Sequence, residues 1–261
     1  MSAGGRLPTP MASVKPMLSV IIPAYNEAKR SGGNFSAVIS YLNEHFPNFE
    51  LIIVDDGSQD NTSQLIAKFI AGQPKVQLIS YQPNHGKGYA VRTGVLASHG
   101  EIVLFMDSDL STPLSEIPRI LKQLKDVDIV IGSRGTADSK IKKTPPLHRK
   151  LASFIFDQIK FAMVGLRRYK DTQCGFKAFR GPVARKLFAK SQINRFMFDV
   201  EILYMAEKAK LTIQEIPVTW ADMPDSTVRF WEGVVNMFRD LWRIRSLHSK
   251  KVSPFEAKDL L

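Results

Sequence analysis

Short apolar segments alternate with amphipathic segments through the first half of the chain, and this alternation limits the fold more than any other feature. Leu18–Ala24 is apolar except for Ser19, and Phe35–Phe46 then repeats apolar residues at the spacing of one helix face. The same alternation predicts strands at Leu51–Val54, Val76–Tyr81, Ile102–Met106 and Ile129–Ile131, and helices at Thr62–Ala71, Lys87–Ser98 and Leu114–Leu124. Apolar strands separated by such helices form parallel sheets covered on both faces. The sequence therefore predicts an α/β fold with a doubly wound, mostly parallel sheet of the Rossmann-like type.

Polar or turn-forming residues follow each of the five predicted strands. They are Tyr25, Asn26 and Glu27; Asp55, Asp56 and Gly57; Asn84 to Gly88; Asp107 and Asp109; and Ser133 and Arg134. The carboxyl ends of parallel strands meet at one edge of the sheet, where ligands of such folds bind. One acidic pair at a strand end would be an ordinary loop, but five polar ends predict a functional cleft.

After Gly135 the alternation is replaced by mainly helical patterns. They predict helices near His148–Leu166, Pro182–Lys190, Phe198–Lys208 and Val228–Arg245, and a strand at Thr212–Thr219. We expect one domain over residues 17–246, with a disordered tail at residues 1–16 and a second tail at residues 247–261. Residues 17–135 form the half that carries the polar strand ends, and residues 136–246 form a C-terminal, largely helical extension.

The positive charge of the chain is concentrated in this second half. The whole chain carries a net charge of +11, whereas residues 140–190 alone contain 14 basic and two acidic residues. Such a segment indicates an anionic partner, which could be nucleic acid, phospholipid or a phosphorylated substrate. The alternative is a basic surface that serves only solubility.

Several other classes of protein are excluded or disfavoured by composition. The single cysteine, Cys174, excludes an intramolecular disulfide and a zinc site made of several cysteines. No apolar run approaches the roughly 20 residues that cross a bilayer, and the first 16 residues lack the apolar centre of a signal peptide.

The pair Asp107-Ser-Asp109 is the strongest candidate for chemistry. Two carboxylates one residue apart, directly after a buried strand, can bind one hard cation, and Mg²⁺ and Mn²⁺ prefer oxygen ligands. The alternative is a solvated turn. The earlier pair Asp55-Asp56 either caps a helix or accepts a hydrogen bond from a nucleobase or ribose. Asn84-His-Gly-Lys-Gly88 opens a helix, where backbone N–H groups and Lys87 favour an anion.

The order and spacing of these motifs resemble the inverting family 2 glycosyltransferases with the GT-A fold. The resemblance rests on Val20-Ile-Ile-Pro-Ala-Tyr-Asn-Glu27, Val54-Asp-Asp-Gly-Ser58, Asn84-His-Gly-Lys-Gly88 and Asp107-Ser-Asp109. Gly132-Ser-Arg134, Asp171-Thr-Gln-Cys-Gly-Phe-Lys177 and Phe198-Asp-Val-Glu201 are similar to the polyprenyl-phosphate branch, which includes dolichyl-phosphate β-glucosyltransferases and dolichyl-phosphate mannose synthases. Mannose synthases have Gln two residues after the second metal-binding Asp, whereas this chain has Ser111, a shorter and weaker ligand.

The resemblance implies a role for each matching residue. The residues implied to bind the nucleotide-sugar are Pro23, Tyr25, Glu27, Asp56, Lys87, Asp107 and Arg134. The implied metal ligands are Asp107 and Asp109. Arg149 and Lys177 are implied to bind the acceptor phosphate. Asp109 acts in catalysis through the metal. Asp199 or Glu201 would be the base that a hydroxyl acceptor requires, unless these two charges only stabilise a helix N-terminus.

The implied activity is metal-dependent transfer of a hexose, with inversion, from a nucleotide-sugar to polyprenyl or dolichyl phosphate. UDP-glucose is the favoured donor and GDP-mannose the second, with Mg²⁺ or Mn²⁺ as the cofactor. A family 2 enzyme with a soluble hydroxyl acceptor is the first alternative, and a nucleic-acid-binding protein is a remote one. For the leading interpretation we expect peripheral contact with an anionic membrane at its cytoplasmic face, through His148–Arg168 and Phe230–Arg245. We also expect a membrane-protein partner and no binding of nucleic acid.

Overall fold

The computed structural model describes residues 15–29, 32–141, 157–221 and 230–249. A seven-stranded sheet contains β1 (Leu18–Ala24), β2 (Phe49–Asp56), β3 (Val76–Tyr81), β4 (Ile102–Met106), β5 (Ile129–Ser133), β7 (Phe176–Arg180) and β8 (Ile213–Pro217). Their spatial order is β3-β2-β1-β4-β7-β5-β8. Two short strands, β6 (Lys140–Ile141) and β9 (Thr219–Trp220), pair separately. The predicted mostly parallel α/β sheet is confirmed.

The helices lie on both faces of the sheet, as the doubly wound prediction requires. They are α1 (Gly32–His45), α2 (Thr62–Ile70), α3 (Lys87–Ala97), α4 (Ile117–Gln123), α5 (residues 157–164), α6 (Gly181–Lys190), α7 (Phe198–Lys208) and α8 (Phe230–Ser249). Alternate strand residues divide between two apolar layers: Val20 and Ile22 pack towards α1 and α4, and Ile21 packs towards α3 and α7. Burial of both faces explains why the central strands are largely apolar.

One strand of the seven-stranded sheet was absent from the sequence prediction. β7 pairs antiparallel with both β4 and β5, so it lies in the middle of an otherwise parallel sheet. Its sequence, Phe-Lys-Ala-Phe-Arg, places a lysine between buried apolar residues, which is not the pattern of the other central strands. It brings Lys177 into the interior, directly opposite Phe105 of β4.

The predicted boundaries differ from the structure mainly at the ends. Most of the predicted tail at residues 1–16 lies outside the described residues, as do residues 142–156 of the predicted basic loop and helix. α8 runs to Ser249, so the predicted domain end at residue 246 falls within this helix. Within the described ranges, no helix is long and apolar enough to cross a membrane.

Candidate functional site

The carboxyl ends of β1, β2 and β4 bring the predicted site residues to one edge of the sheet. β1 lies between the other two strands, with Ala24 opposite Asp55 and Ile21 opposite Phe105. Lys87 is the first residue of α3, which packs across this part of the sheet. Residues far apart in the sequence therefore meet because parallel strands end together.

Asp107 occupies the centre of this edge. Its backbone N–H donates to the carbonyl of Gly175 at 3.1 Å, and its carboxylate lies against the α-carbon of the same glycine. A β-carbon at position 175 would stand 2.0 Å from Oδ2 of Asp107, which is closer than any real contact. Gly175 is thus required for the carboxylate to lie where it does, while the side chain of Asp107 remains 34% exposed.

Lys87 forms an ion pair with Asp107, with Nζ 2.6 Å from Oδ1. Burial by itself would lower the pKa of Lys87, but the neighbouring carboxylates of Asp107 and Asp199 raise it above its ordinary value. The side chain therefore carries a positive charge at any physiological pH. A cation at the first residue of a helix lies beside backbone N–H groups that also attract anions.

Asp109 lies two residues further along, partly exposed, with Oδ1 accepting a hydrogen bond from the backbone N–H of Ser111 at 2.9 Å. Asp107 and Asp109 supply hard oxygen donors of the kind that Mg²⁺ and Mn²⁺ bind. Among the described residues there is no cluster of three His, Cys, Asp or Glu side chains that could hold a metal ion. The residues present fit a cation that takes its remaining ligands from a diphosphate and water, as Mg²⁺ commonly does.

Asp199 and Lys177 form a second ion pair behind the first. Nζ of Lys177 lies 2.5 Å from Oδ1 of Asp199 and 2.5 Å from the carbonyl oxygen of Cys174. Lys177 is 1% exposed. Burial raises the pKa of Asp199, although Lys177 and Lys87 both act to lower it. The implied contact of Lys177 with an acceptor phosphate is not what this arrangement provides, because the ammonium group is enclosed and already paired.

Arg134, after β5, forms a third ion pair. Its Nε and Nη2 donate to the two carboxylate oxygens of Asp171 at 2.6 and 3.0 Å, and its backbone N–H adds a bond of 3.0 Å. Burial alone would raise the pKa of Asp171, but the Arg134 guanidinium holds it at about 2. The guanidinium carbon also lies 5.4 Å from the ring centre of Trp220. The pairing fixes a charged arginine that remains partly open to solvent.

Asp56 contrasts with the acids after β4, because its carboxylate is 3% exposed and holds a loop. It accepts hydrogen bonds from the Tyr81 hydroxyl, the Asn84 amide and the backbone N–H groups of His85 and Gly86, at 2.8–2.9 Å. The structure thus brings Asp56 to the predicted edge and surrounds it with four donors from the segment that precedes Lys87.

The remaining candidates divide between the cleft and the interior. Pro23 is a buried residue of β1, Tyr25 is 39% exposed, and Glu27 is buried with its backbone N–H bonded to Thr62 Oγ1 at 2.8 Å. Glu201 is 0% exposed, and its carboxylate binds backbone N–H groups of the loop before α7. The predicted acceptor residue Arg149 lies outside the described residues.

Two residues of the site were missed in the sequence, Asp171 and Gly175. Both lie in the segment Asp171-Thr-Gln-Cys-Gly-Phe-Lys177, to which the resemblance assigned a role only at its last residue. The available signal was an acid six residues and a glycine two residues before Lys177. Their partners, Arg134 and Asp107, lie more than 35 residues away in the sequence.

Comparison with known proteins gives sequence relatives over almost the whole chain. The family model Glycosyl transferase family 2 matches residues 19–188. Dolichyl-phosphate beta-glucosyltransferase of Dictyostelium discoideum is 36% identical over 87% of this chain and 73% of the relative. The enzyme of that name from Homo sapiens is 34% identical over 92% of this chain and 78% of its own length.

Solved structures show the same fold at lower identity. Glucosyl-3-phosphoglycerate synthase from Mycobacterium tuberculosis, crystallised with Mn²⁺ and UDP-glucose, matches 92% of this chain and 81% of its own, with 17% identity and a TM-score of 0.63. Mannosyl-3-phosphoglycerate synthase from Rubrobacter xylanophilus matches 90% of this chain and 75% of its own, with 18% identity and a TM-score of 0.64. The expected GT-A fold is confirmed by these similarities.

Proposed function

The chain belongs to glycosyl transferase family 2, and from that premise we propose that it transfers glucose from UDP-glucose to dolichyl or another polyprenyl phosphate, with inversion and with Mg²⁺ or Mn²⁺. Relatives that cover most of the chain are named dolichyl-phosphate beta-glucosyltransferases, so the protein is a hexosyltransferase. GDP-mannose is the second donor to consider, but none of these relatives carries a mannosyltransferase name.

The observation that carries the proposal is the ion pair between Lys87 and Asp107 beside the open carboxylate of Asp109. A nucleoside diphosphate requires charge neutralisation, and this edge of the sheet offers one fixed cation and two carboxylates for a divalent metal. Arg134 adds a second fixed cation at the end of β5. We assign these four residues to the diphosphate of the donor.

The chain's own residues then bind the donor, orient it and neutralise the charge of its diphosphate. A divalent cation held by Asp107 and Asp109 would stabilise the negative charge that develops on the leaving nucleoside diphosphate. Lys87 supplies a hydrogen-bond donor and positive charge at the same place, already oriented by its contact with Asp107. An acceptor phosphate is ionised near neutral pH, so attack on the anomeric carbon requires no strong general base.

We assign Asp199 to the binding of Lys177 and to the electrostatic stabilisation of Lys87, rather than to removal of a proton from the acceptor. Its carboxylate is 4% exposed, bonded to Lys177 and close enough to Lys87 to raise the pKa of that lysine. The other candidate base, Glu201, is enclosed. An enzyme of this geometry suits an acceptor that arrives already ionised.

We also propose that α8 lies against an anionic membrane, at its cytoplasmic face. Trp242 is 67% exposed, and Phe238, one turn earlier, is 39% exposed. Arg239 and Arg243 are exposed beside them. Aromatic residues flanked by arginine suit a helix in the headgroup region, where each basic residue contributes about 1 kcal/mol. Residues 148–156 of the other predicted membrane segment, His148–Arg168, lie outside the described residues, and in its described part Ile159, Met163 and Leu166 pack against the interior.

The activity is tested with a panel of donors and acceptors. Purified protein is incubated with UDP-glucose or GDP-mannose, with detergent-dispersed polyprenyl phosphate or a soluble hydroxyl acceptor such as phosphoglycerate, with Mg²⁺, Mn²⁺ or EDTA. The proposal predicts a metal-dependent β-glucosyl lipid from UDP-glucose alone, with the anomer read by NMR. Product only on the soluble acceptor would overturn the lipid assignment, and product in EDTA would overturn the metal.

The membrane contact is tested by sedimentation with vesicles. The protein should pellet with vesicles that contain acidic phospholipid, less so at high salt, since salt screens the charges. Phe238→Ser with Trp242→Ser should abolish pelleting, whereas Leu96→Ser, at an equally exposed apolar residue of α3, should not. Protein that remains in the supernatant at low salt would refute the contact.

A further inference from the structure

The loop at residues 191–194, between α6 and α7, lies directly against the first turn of α3. The backbone N–H of Tyr89 donates to the carbonyl of Asn194 at 3.0 Å. A β-carbon at Gly88 would stand 2.6 Å from the carbonyl oxygen of Ile193, so the two backbones nearly touch. Lys87 directly precedes Gly88 in the chain, and its side chain contacts Asp107 at the edge of the sheet.

Glu201 of α7 binds the backbone of that loop. Its two carboxylate oxygens accept hydrogen bonds from the backbone N–H of Gln192 at 2.9 and 3.0 Å and from that of Ile193 at 2.9 Å. The side chain is completely buried. Because hydrogen bonds to a charged acceptor are stronger than neutral ones, this one carboxylate fixes the loop's backbone.

The same carboxylate also binds the last turn of α8. Nε2 of His248 lies 2.8 Å from Oε1 of Glu201, and an ionised carboxylate can only accept, so the ring nitrogen donates. On the opposite side of the loop, Arg92 of α3 donates to the carbonyl of Ser191 at 2.9 Å and to the side chain of Asn194 at 2.8 Å. The loop is therefore held between α3 and Glu201, with α8 attached to the same acid.

We infer that Glu201 is a positioning residue for the donor site, which sets the loop at residues 191–194 against α3 and thereby the approach of Lys87 to the donor diphosphate. His248 extends this support to the C-terminal end of α8. Glu201 touches neither donor nor acceptor in this role. The inference rests on the proposed function only in taking a nucleoside diphosphate as the ligand of Lys87.

The test measures binding of UDP with Mn²⁺ by calorimetry. Glu201→Ala should raise the Kd about 10-fold, because small displacements of a positioned group have effects of this size or larger. Glu201→Gln should recover most of the affinity, since its amide oxygen still accepts from the loop. The control is Glu207→Ala on the same helix, whose carboxylate bonds the Tyr169 hydroxyl instead; its Kd should remain that of the unsubstituted protein. In turnover, the donor KM should rise and the acceptor KM should not.

A folded Glu201→Ala protein with unchanged Kd would overturn the inference, as would an equal weakening in Glu207→Ala. If Glu201→Ala does not fold, Arg92→Ala loosens the same loop from α3, and an unchanged Kd there is equally decisive. Hydrogen exchange gives a readout without nucleotide: amides in the first turn of α3 should exchange faster in the Glu201 and Arg92 variants, and unchanged exchange refutes the inference. Failure of the unsubstituted protein to bind UDP would instead contradict the proposed donor.

Discussion

Two acidic pairs follow neighbouring regions of the same sheet, Asp55-Asp56 after β2 and Asp107-Ser-Asp109 after β4, yet their surroundings differ. Asp55 and Asp56 are both buried, and hydroxyl and N–H donors surround their carboxylates. Asp107 and Asp109 are partly exposed. The carboxylate of Asp107 binds the side chain of Lys87 rather than the backbone of a loop.

The difference separates two uses of the same residue type. Carboxylates that accept several hydrogen bonds from the chain fix the loops around a site, and removal of such a carboxylate leaves buried donors unsatisfied. Carboxylates that remain open can exchange their present partner for a ligand. On this basis we assign stability to the pair after β2 and chemistry to the pair after β4, and the following variants test that division.

The largest effect should come from Asp109→Asn. Loss of one charged metal ligand should lower turnover at least ~100-fold, the usual magnitude for a group that stabilises developing charge. The melting temperature should remain close to that of the unsubstituted protein, because Asn can still accept the hydrogen bond from Ser111. Steady-state kinetics and thermal unfolding of the same preparation measure both quantities, and near-normal turnover would remove Asp109 from the site.

Gly175→Ala should come next, with turnover reduced roughly 10-fold or more. The added methyl group would overlap Oδ2 of Asp107, so the carboxylate must turn away from its present position. Gly165→Ala is not a suitable control, because that glycine has positive φ. Gly33→Ala is suitable, since a β-carbon there meets no atom within 4 Å. Equal turnover in the two variants would show that the position of the Asp107 carboxylate does not affect catalysis.

Asp56→Asn should act mainly on stability. The amide nitrogen would face a backbone N–H of His85 or Gly86, and the unsatisfied buried donor should cost about 3 kcal/mol of unfolding free energy. Denaturant unfolding measures this directly. If Asp56→Asn unfolds like the unsubstituted protein but no longer binds nucleotide, the carboxylate belongs to the nucleoside pocket, as the sequence resemblance implied.

The smallest effect concerns pH and the Arg134–Asp171 pair. The pKa of Asp171 is about 2 in the folded protein, against about 4 when unfolded, so the pair stabilises the fold above pH ~4. That contribution, roughly 2 kcal/mol, is lost as pH falls from about 4 to 2. The difference in unfolding free energy between the unsubstituted protein and Asp171→Asn should therefore shrink over this interval. A constant difference would mean that the pair is not an ion pair in solution.

The sequence predicted the sheet well where strands are uniformly apolar. β1, β2 and β4 are buried on both faces, so each contains a run of apolar residues that identifies it as a strand without knowledge of its neighbours. β7 was missed because Lys177 and Arg180 interrupt its apolar residues. Its central place depends on Asp199, which neutralises Lys177 from a helix 22 residues later in the chain.

The residues of the candidate site were predicted from the sequence, but the different role of each residue was not. Strand ends can be read from sequence, and so Asp56, Lys87, Asp107 and Asp109 were all placed at one edge. Which carboxylate is enclosed depends on loop backbones, such as the N–H groups of His85 and Gly86 around Asp56. No sequence pattern identifies which backbone N–H groups donate hydrogen bonds to a given carboxylate.

The most direct test of the division between the two pairs is the effect of Mn²⁺ on UDP binding, measured by calorimetry. In the unsubstituted protein and in Asp55→Asn, whose Ser58, Ser63 and Ser80 hydroxyl partners can reorient around an amide, Mn²⁺ should tighten UDP binding. In Asp109→Asn, Mn²⁺ should have no effect. Equal tightening by Mn²⁺ in Asp109→Asn, or its loss in a folded Asp55→Asn, would contradict the assignment of the metal to the open pair after β4.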